Sequence, residues 1–299
     1  MANVLESLSA DMAQAVERAG SSLVRIQARR RQSATGIVWS ADGLIVTAHH
    51  VVEREEGIRI GLPDGSQTTA VLVGRDPTTD IAVLRAESSG LTPAAWAELD
   101  EVRVGHLVLA VGRPDAGVQA TLGVISALDG GWRTMAGGAV DAYVQTDVVM
   151  YPGFSGGALV GANGACIGMN SSALVRGVSV TLPAATLRRV ADSLKVHGRV
   201  KRGFLGVNAQ GVRLPQSLAE KLGQETGLLL AAVEQGSPAE LGGLMVGDIL
   251  VAVDGQAVRQ MDDLMAALSG DRVGKTVPVT YVRGGQPAEA TVAVGERTA

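Results

Sequence analysis

Hydrophobic and polar positions follow three different rhythms along the chain. Over residues 3–19, Val4, Leu5, Leu8, Met12, Ala15 and Val16 recur at a period near 3.6, which predicts an amphipathic helix. From Leu23 to about Leu182 the pattern changes to short β-rich segments. β-rich segments recur at Thr35–Ser40, Gly43–Ala48, Gly57–Leu62, Thr69–Asp76, Ile81–Glu87, Leu107–Gly112, Thr121–Leu128 and Ala142–Asp147. Ala158–Val160, Cys166–Ser171 and Val178–Thr181 continue the series. Short strands punctuated by Gly, Asp, Pro and Ser predict a barrel or sandwich. Ala184–Leu194 reads as a closing helix and Val196–Arg202 as a basic linker.

A second unit follows over residues 203–297. Strands are predicted at Phe204–Ala209, Leu228–Val233, Ile249–Val253 and Val277–Arg283, and helical segments near Pro238–Leu241 and Met261–Leu268. Gly236-Ser237-Pro238 and Asp254-Gly255 mark turns. The expected division is a helical segment 1–20, a first domain 21–195, a linker 196–202 and a second domain 203–299.

Composition narrows the class. Of 299 residues, 46% are hydrophobic, 19% charged and only 3% aromatic, so a folded core must be built from Val, Leu, Ile and Ala. The 39 glycines fit many tight turns. A net charge of −4 gives no reason to expect a nucleic-acid partner. The short Arg29-Arg30-Arg31 run reads as a solvated loop. The single Cys166 sits in an apolar run and reads as a small buried hydrophobe. No Cys/His cluster has metal-ligand spacing, so neither a metal nor another cofactor is expected, and no phosphate-binding loop suggests ATP use.

Chemistry concentrates at Gly153-Phe154-Ser155-Gly156-Gly157. Glycines let the backbone turn tightly, which exposes the serine hydroxyl and allows nearby amides to converge on one point. That is the geometry for holding an oxyanion, here over Gly153, Phe154 and Ser155. A serine nucleophile needs a base and a carboxylate to orient it. Upstream lie Thr47-Ala48-His49-His50-Val51-Val52 and Arg75-Asp76-Pro77-Thr78-Thr79-Asp80-Ile81-Ala82-Val83-Leu84. Two histidines and two aspartates therefore compete for the roles.

These motifs, in this order, resemble the HtrA/Deg family of trypsin-like serine proteases carrying a PDZ domain. The glycine-rich strand and histidine motif match Thr35-Gly36-Ile37-Val38 through His50-Val51-Val52. Asp80-Ile81-Ala82-Val83-Leu84 and Tyr151-Pro152-Gly153-Phe154-Ser155-Gly156-Gly157-Ala158-Leu159 match the other two. The resemblance implies a mainly β chain, with a double six-stranded β-barrel followed by an α+β PDZ domain. It assigns His50 as base, Asp80 as its partner and Ser155 as nucleophile. Phe154 stands where the family usually has Asn, as do Arg113 and His49; Phe154 is expected to crowd the cleft or favour an apolar substrate.

Further expectations follow from the resemblance. Val149, six residues before the serine, would sit at the floor of an apolar specificity pocket, and Asn170, Ser171 and Ser172 would pair with substrate backbone. Gly203, Phe204, Leu205 and Gly206 match the carboxylate-binding loop of PDZ domains, with Leu264 and Leu268 lining the groove or simply packing the core. The implied activity is ATP-independent endoproteolysis of unfolded or damaged proteins, with C-terminal peptides bound at the PDZ groove. A silent or latent peptide-binding scaffold is the alternative. A homotrimer is possible, but residues 1–38 contain no aromatic residue, so it would rely on Leu5, Leu8 and Met12. The first twenty residues carry Glu6, Asp11, Glu17 and Arg18 and do not read as a signal peptide. No window reaches the ~18 apolar residues of a membrane helix. A cytoplasmic location is therefore expected, or an extracytoplasmic one if the N-terminus is cut short.

Overall fold

A computed structural model describes residues 3–30, 32–268 and 272–297. Its contacts divide the chain into two compact units that meet in sequence at Val200 and Lys201.

The first unit opens with helix α1 (Val4–Gly20), started by a capping box in which Asn3 and Glu6 bond each other's backbone amides. Only its C-terminal half packs: Ala15 and Ala19 are buried, while Val4 and Leu5 are 80% and 70% exposed. Six strands then close into an antiparallel barrel. They are β1 (Leu23–Gln27), β2 (Ala34–Val38), β3 (Leu44–Ala48), β4 (Ile58–Gly61), β5 (Gln67–Asp76) and β6 (Ile81–Ala86), in the spatial order 1-2-3-6-5-4. β5 alternates between buried and open positions, as a strand with one wet face should. β2 and β3 are buried at every position. Their second face meets the second barrel, where Thr35 of β2 bonds the backbone of Gly153.

The second barrel contains β7 (Leu107–Gly112) and β8 (Gln119–Asp129), then a two-stranded ribbon of β9 (Trp132–Arg133) and β10 (Ala139–Val140) outside it. It is completed by β11 (Tyr143–Thr146), β12 (Ala158–Gly161), β13 (Cys166–Ser171) and β14 (Ser179–Pro183), in the order 11-14-13-12-7-8. Its core gathers Val108, Ala110, Ile125, Val144, Leu159 and Ile167 around Phe154. Helix α2 (Ala184–His197) packs on β5, β6, β13 and β14 and so braces both barrels. Its last residue, His197, lies three beyond the predicted end, and Gly198 caps it in the left-handed region.

The second unit holds β15 (Gly203–Phe204), β16 (Val207–Arg213), α3 (Gln216–Leu222), β17 (Thr226–Val233), α4 (Pro238–Leu241), β18 (Ile249–Val253) and β19 (Gln256–Ala257). It continues with α5 (Met261–Ala267), β20 (Thr276–Arg283), β21 (Gln286–Ala293) and β22 (Gly295–Glu296). The main sheet runs 16-17-18-20-21, which leaves β16 at an edge. Two closed six-stranded barrels followed by an α+β unit are the architecture predicted from sequence. No helix among the described residues is long and apolar enough to cross a membrane.

Candidate active site

The pairing of β3 with β6 builds the first half of the site. Its register sets Ala48 opposite Ile81, so the residues just after one strand lie beside those just before the other. His49–Val51 turn into a short 3-10 helix, and Asp80 enters β6 with φ at +57°, a left-handed conformation that aspartate tolerates better than most residues. The Asp80 carbonyl accepts the His49 amide at 3.0 Å, and its Oδ1 accepts the His50 amide at 2.9 Å. The His50 ring then meets the same carboxylate, Nδ1 lying 3.0 Å from Oδ1 and 2.9 Å from Oδ2. A carboxylate accepts, so Nδ1 carries the proton and Nε2 keeps a lone pair for use as a base.

Both competitors are placed elsewhere. The buried Nδ1 of His49 makes no hydrogen bond among the described residues, and burial pulls the His49 pKa below its ordinary value. Asp76 is held inside its own turn, accepting from the Thr78 amide and from the hydroxyls of Thr78 and Thr79.

The second half is the turn before Ser155. Gly153 has φ at +92°, and a Cβ there would lie 2.6 Å from the Pro114 side chain. Gly156 has φ at +83°, and a Cβ there would overlap Thr35 and Thr47. The turn is thus closed to side chains on both sides of the serine. The Phe154 amide donates to Tyr151 O at 3.0 Å, and the Gly156 amide to Asn170 O at 2.9 Å. The amides of Gly153 and Ser155 make no hydrogen bond among the described residues. Phe154 N–H is therefore spent inside the turn, which corrects its inclusion among the oxyanion donors; the unspent pair is Gly153 and Ser155. Ser155 Oγ lies 2.9 Å from Ser172 Oγ and accepts the Ser172 amide at 3.4 Å. It makes no hydrogen bond to His50 in this conformation.

Several other expectations are corrected. Phe154 does not crowd the cleft: its side chain is 0% exposed, packs against Gly112 and meets Tyr151 edge-on at 5.7 Å between ring centroids. The aromatic ring turns inward because the second barrel offers an apolar core directly beneath the turn. Val149 is 55% exposed and is no enclosed pocket floor; Thr121 holds its carbonyl at 2.9 Å. The Asn170 side chain is consumed internally, between Ala158 O and the Thr181 hydroxyl, both at 2.9 Å. Ser171 donates to Asp80 Oδ2 at 2.5 Å, a contact between residues ninety-one apart that no local signal announces. Ser172 is the exposed member of that edge. The Cys166 thiol is buried, and burial pushes its pKa up. Among the described residues no three His, Cys, Asp or Glu side chains are grouped to hold a metal.

In the second unit the predicted strand Phe204–Ala209 is broken at Leu205-Gly206. Their carbonyls accept the amides of Ala239 at 2.9 Å and Glu234 at 2.8 Å. Their own amides have no partner among the described residues, and the loop leads into the open edge of β16. Gly203 and Phe204 instead pair with Glu296 and Gly295. Leu264 and Leu268 are 2% and 3% exposed within the apolar core, so they pack the interior and do not line a groove.

Two six-stranded barrels with a histidine, an aspartate and a glycine-framed serine at their strand ends define the trypsin-like peptidases. Comparison with known proteins agrees. Residues 34–169 match the trypsin-like peptidase domain and residues 203–294 the PDZ domain. The chain is 37% identical over 277 residues, 90% of its length, to a probable periplasmic serine endoprotease, DegP-like, of Chlamydia trachomatis. It is 36% identical over 278 residues, 89% of its length, to the protein of the same name from Ectopseudomonas mendocina. It spans only 55% and 57% of those two relatives, about half the length of the curated proteins it matches. Among solved structures it resembles the HtrA-type protease AlgW with decapeptide, with a TM-score of 0.81, 30% identity, and coverage of 96% of this chain and 99% of that one. The serine endoprotease from Yersinia pestis superposes with a TM-score of 0.79 at 30% identity, covering 96% and 98%. The chain belongs to the HtrA/DegP family of serine proteases with a C-terminal PDZ domain. The expected cytoplasmic location does not stand, because the relatives carry periplasmic names.

Proposed function

We propose that this chain is an ATP-independent serine endopeptidase acting on unfolded or damaged proteins. A protease domain over 21–195 and a PDZ domain over 203–299 divide the work of cleavage and recognition. The observation that carries the reading is the His50–Asp80 pair, whose geometry fixes the tautomer a base requires. Ser155 Oγ attacks the scissile carbonyl while His50 Nε2 takes its proton. Asp80 stabilises the imidazolium, and Ser171 in turn supports Asp80. The Gly153 and Ser155 amides receive the oxyanion. His50 then returns the proton to the leaving amine, and water releases the acyl group by the same route in reverse. Casein hydrolysis tests this: Ser155→Ala should abolish cleavage, and unchanged turnover in that variant refutes it.

Peptide recognition is assigned to the loop 203–206 and the edge of β16. The amides of Leu205 and Gly206 meet a terminal carboxylate, and the peptide adds a strand beside β16. With Leu264 and Leu268 in the core, Met261, which is 39% exposed, and the partly buried Met265 are the methionines of α5 left for the ligand. A C-terminal peptide should lose at least about tenfold in affinity when its carboxylate is amidated. Equal binding of acid and amide refutes this assignment.

A second reading, a latent protease, is favoured by one observation: Ser155 rests on Ser172 instead of His50. Occupied PDZ grooves would then switch the enzyme on, and casein cleavage with and without C-terminal peptides separates the two readings. The exposed apolar positions of α1, Val4, Leu5 and Leu8, support a homotrimer. Sedimentation of the Leu5→Ser, Leu8→Ser variant tests that contact.

A further inference from the structure

Thr35 is wholly buried in β2, among apolar neighbours, yet every polar atom it has is used. Its hydroxyl donates to Gly153 O at 2.8 Å and accepts the Arg113 amide at 2.8 Å. Its carbonyl accepts the Thr47 hydroxyl at 2.7 Å, and its amide donates to Ser155 O at 3.4 Å. One residue of the first barrel therefore grips the serine turn of the second at two carbonyls, on both sides of Phe154.

The placement of those bonds matters more than their number. The Gly153–Phe154 peptide lies between the two unspent amides. Its oxygen is held by Thr35 and its N–H by Tyr151 O, so the plane is fixed at both ends. Gly153 supplies no steric resistance of its own, because a glycine rotates freely through the left-handed region it occupies. Rotation of that plane would carry the flanking amides away from their common direction.

The donor that keeps the Thr35 hydroxyl aimed is itself anchored. Arg113 is buried, and burial pulls its pKa down. Its guanidinium donates to Leu23 O and Ala116 O at 2.8 Å and to Gly20 O at 2.9 Å. Gly20 is the last residue of α1, where helix carbonyls lack partners and a cation is favoured. The Arg113 backbone amide thus has little freedom, and it orders the Thr35 hydroxyl so that its proton points at Gly153.

We propose that Thr35 is a positioning residue for the oxyanion site: its hydroxyl, directed by the Arg113 amide, locks the Gly153–Phe154 peptide so that the Gly153 and Ser155 amides converge. The proposal rests on the reading of Ser155 as nucleophile. A hydroxyl is required, not the shape of the residue. Valine keeps the shape and leaves two buried backbone groups without partners; serine keeps the bonds and loses a methyl group.

Fluorophosphonate inactivation of the full chain tests this, with the maximal inactivation rate and the half-saturating probe concentration measured separately. Thr35→Val should lower the maximal rate by about 10- to 100-fold, since a misaimed oxyanion donor is felt in the transition state. The half-saturating concentration should stay within about twofold, and the pH midpoint of the reaction should not move. Thr35→Ser should retain the maximal rate within about threefold. If wild type and Ser155→Ala are both unlabelled, the nucleophile reading falls and this proposal with it. If wild type is labelled, Ser155→Ala is not, and Thr35→Val reacts like wild type, only the role of Thr35 is overturned. A loss confined to probe affinity overturns it as well. Should Thr35→Val fail to fold, Thr35→Ser still decides: retained rate supports the hydroxyl, and a loss above about tenfold refutes it.

Discussion

On the first barrel, every acceptor of Asp80 is occupied: one oxygen takes the His50 amide and ring, the other the ring and the Ser171 hydroxyl. On the second barrel, the turn before Ser155 leaves two amides unused, and the serine hydroxyl rests on a neighbouring serine. The half that must hold a fixed tautomer is complete before substrate arrives. The half that must receive a developing charge keeps its donors in reserve. Buried polar groups are normally paired. The unused amides are therefore the departure that points to function, and the paired carboxylate is the scaffold that supports it.

The contrast can be broken first on its complete side. Asp80→Asn preserves shape but lets the histidine take the wrong tautomer, and kcat should fall by about 10^4-fold in a peptide hydrolysis assay. A fall below tenfold would mean that the pair does not set the tautomer.

On the other side the turn depends on packing. Phe154→Ala removes a fully buried ring beneath the serine, and chemical denaturation should show a loss of about 3–5 kcal/mol. A loss under 1 kcal/mol would show that the turn does not lean on this core.

The smallest effect concerns the spare imidazole. Folded His49 titrates below its ordinary value of 6.5, chiefly through burial, and Arg75 and His50 also disfavour its charge while Asp80 and Asp76 favour it. The unfolded chain therefore binds more protons as pH falls below about 6.5. This contribution to stability is present above that value and is lost on acidification. Thermal melting of His49→Asn should show a shallower acid dependence than wild type, and an identical pH profile would rule out a role for His49.

Much of this was legible beforehand. The barrel strands announced themselves as short β-rich segments set off by glycine-marked turns, and His50, Asp80 and Ser155 each sit in a local pattern that chemistry explains. What sequence reasoning missed is tertiary. The direction of Phe154 is decided by the room beside Gly112, and the burial of Leu264 and Leu268 by the sheet they cover. Thr35 looked like an ordinary strand residue and Ser171 like part of a substrate-pairing edge; their partners lie 118 and 91 positions away. The one cue available was a hydroxyl in a strand otherwise buried throughout, since such a group must find a partner.

The central claim is that one serine, at the end of a turn with two unused amides and near a pre-formed base, is the nucleophile. Intact-mass and peptide mapping of the fluorophosphonate-treated protein test it most directly. The account predicts a single adduct on Ser155, lost in Ser155→Ala and strongly slowed in Asp80→Asn. An unlabelled native protein, or an adduct on another residue that survives Ser155→Ala, would contradict it.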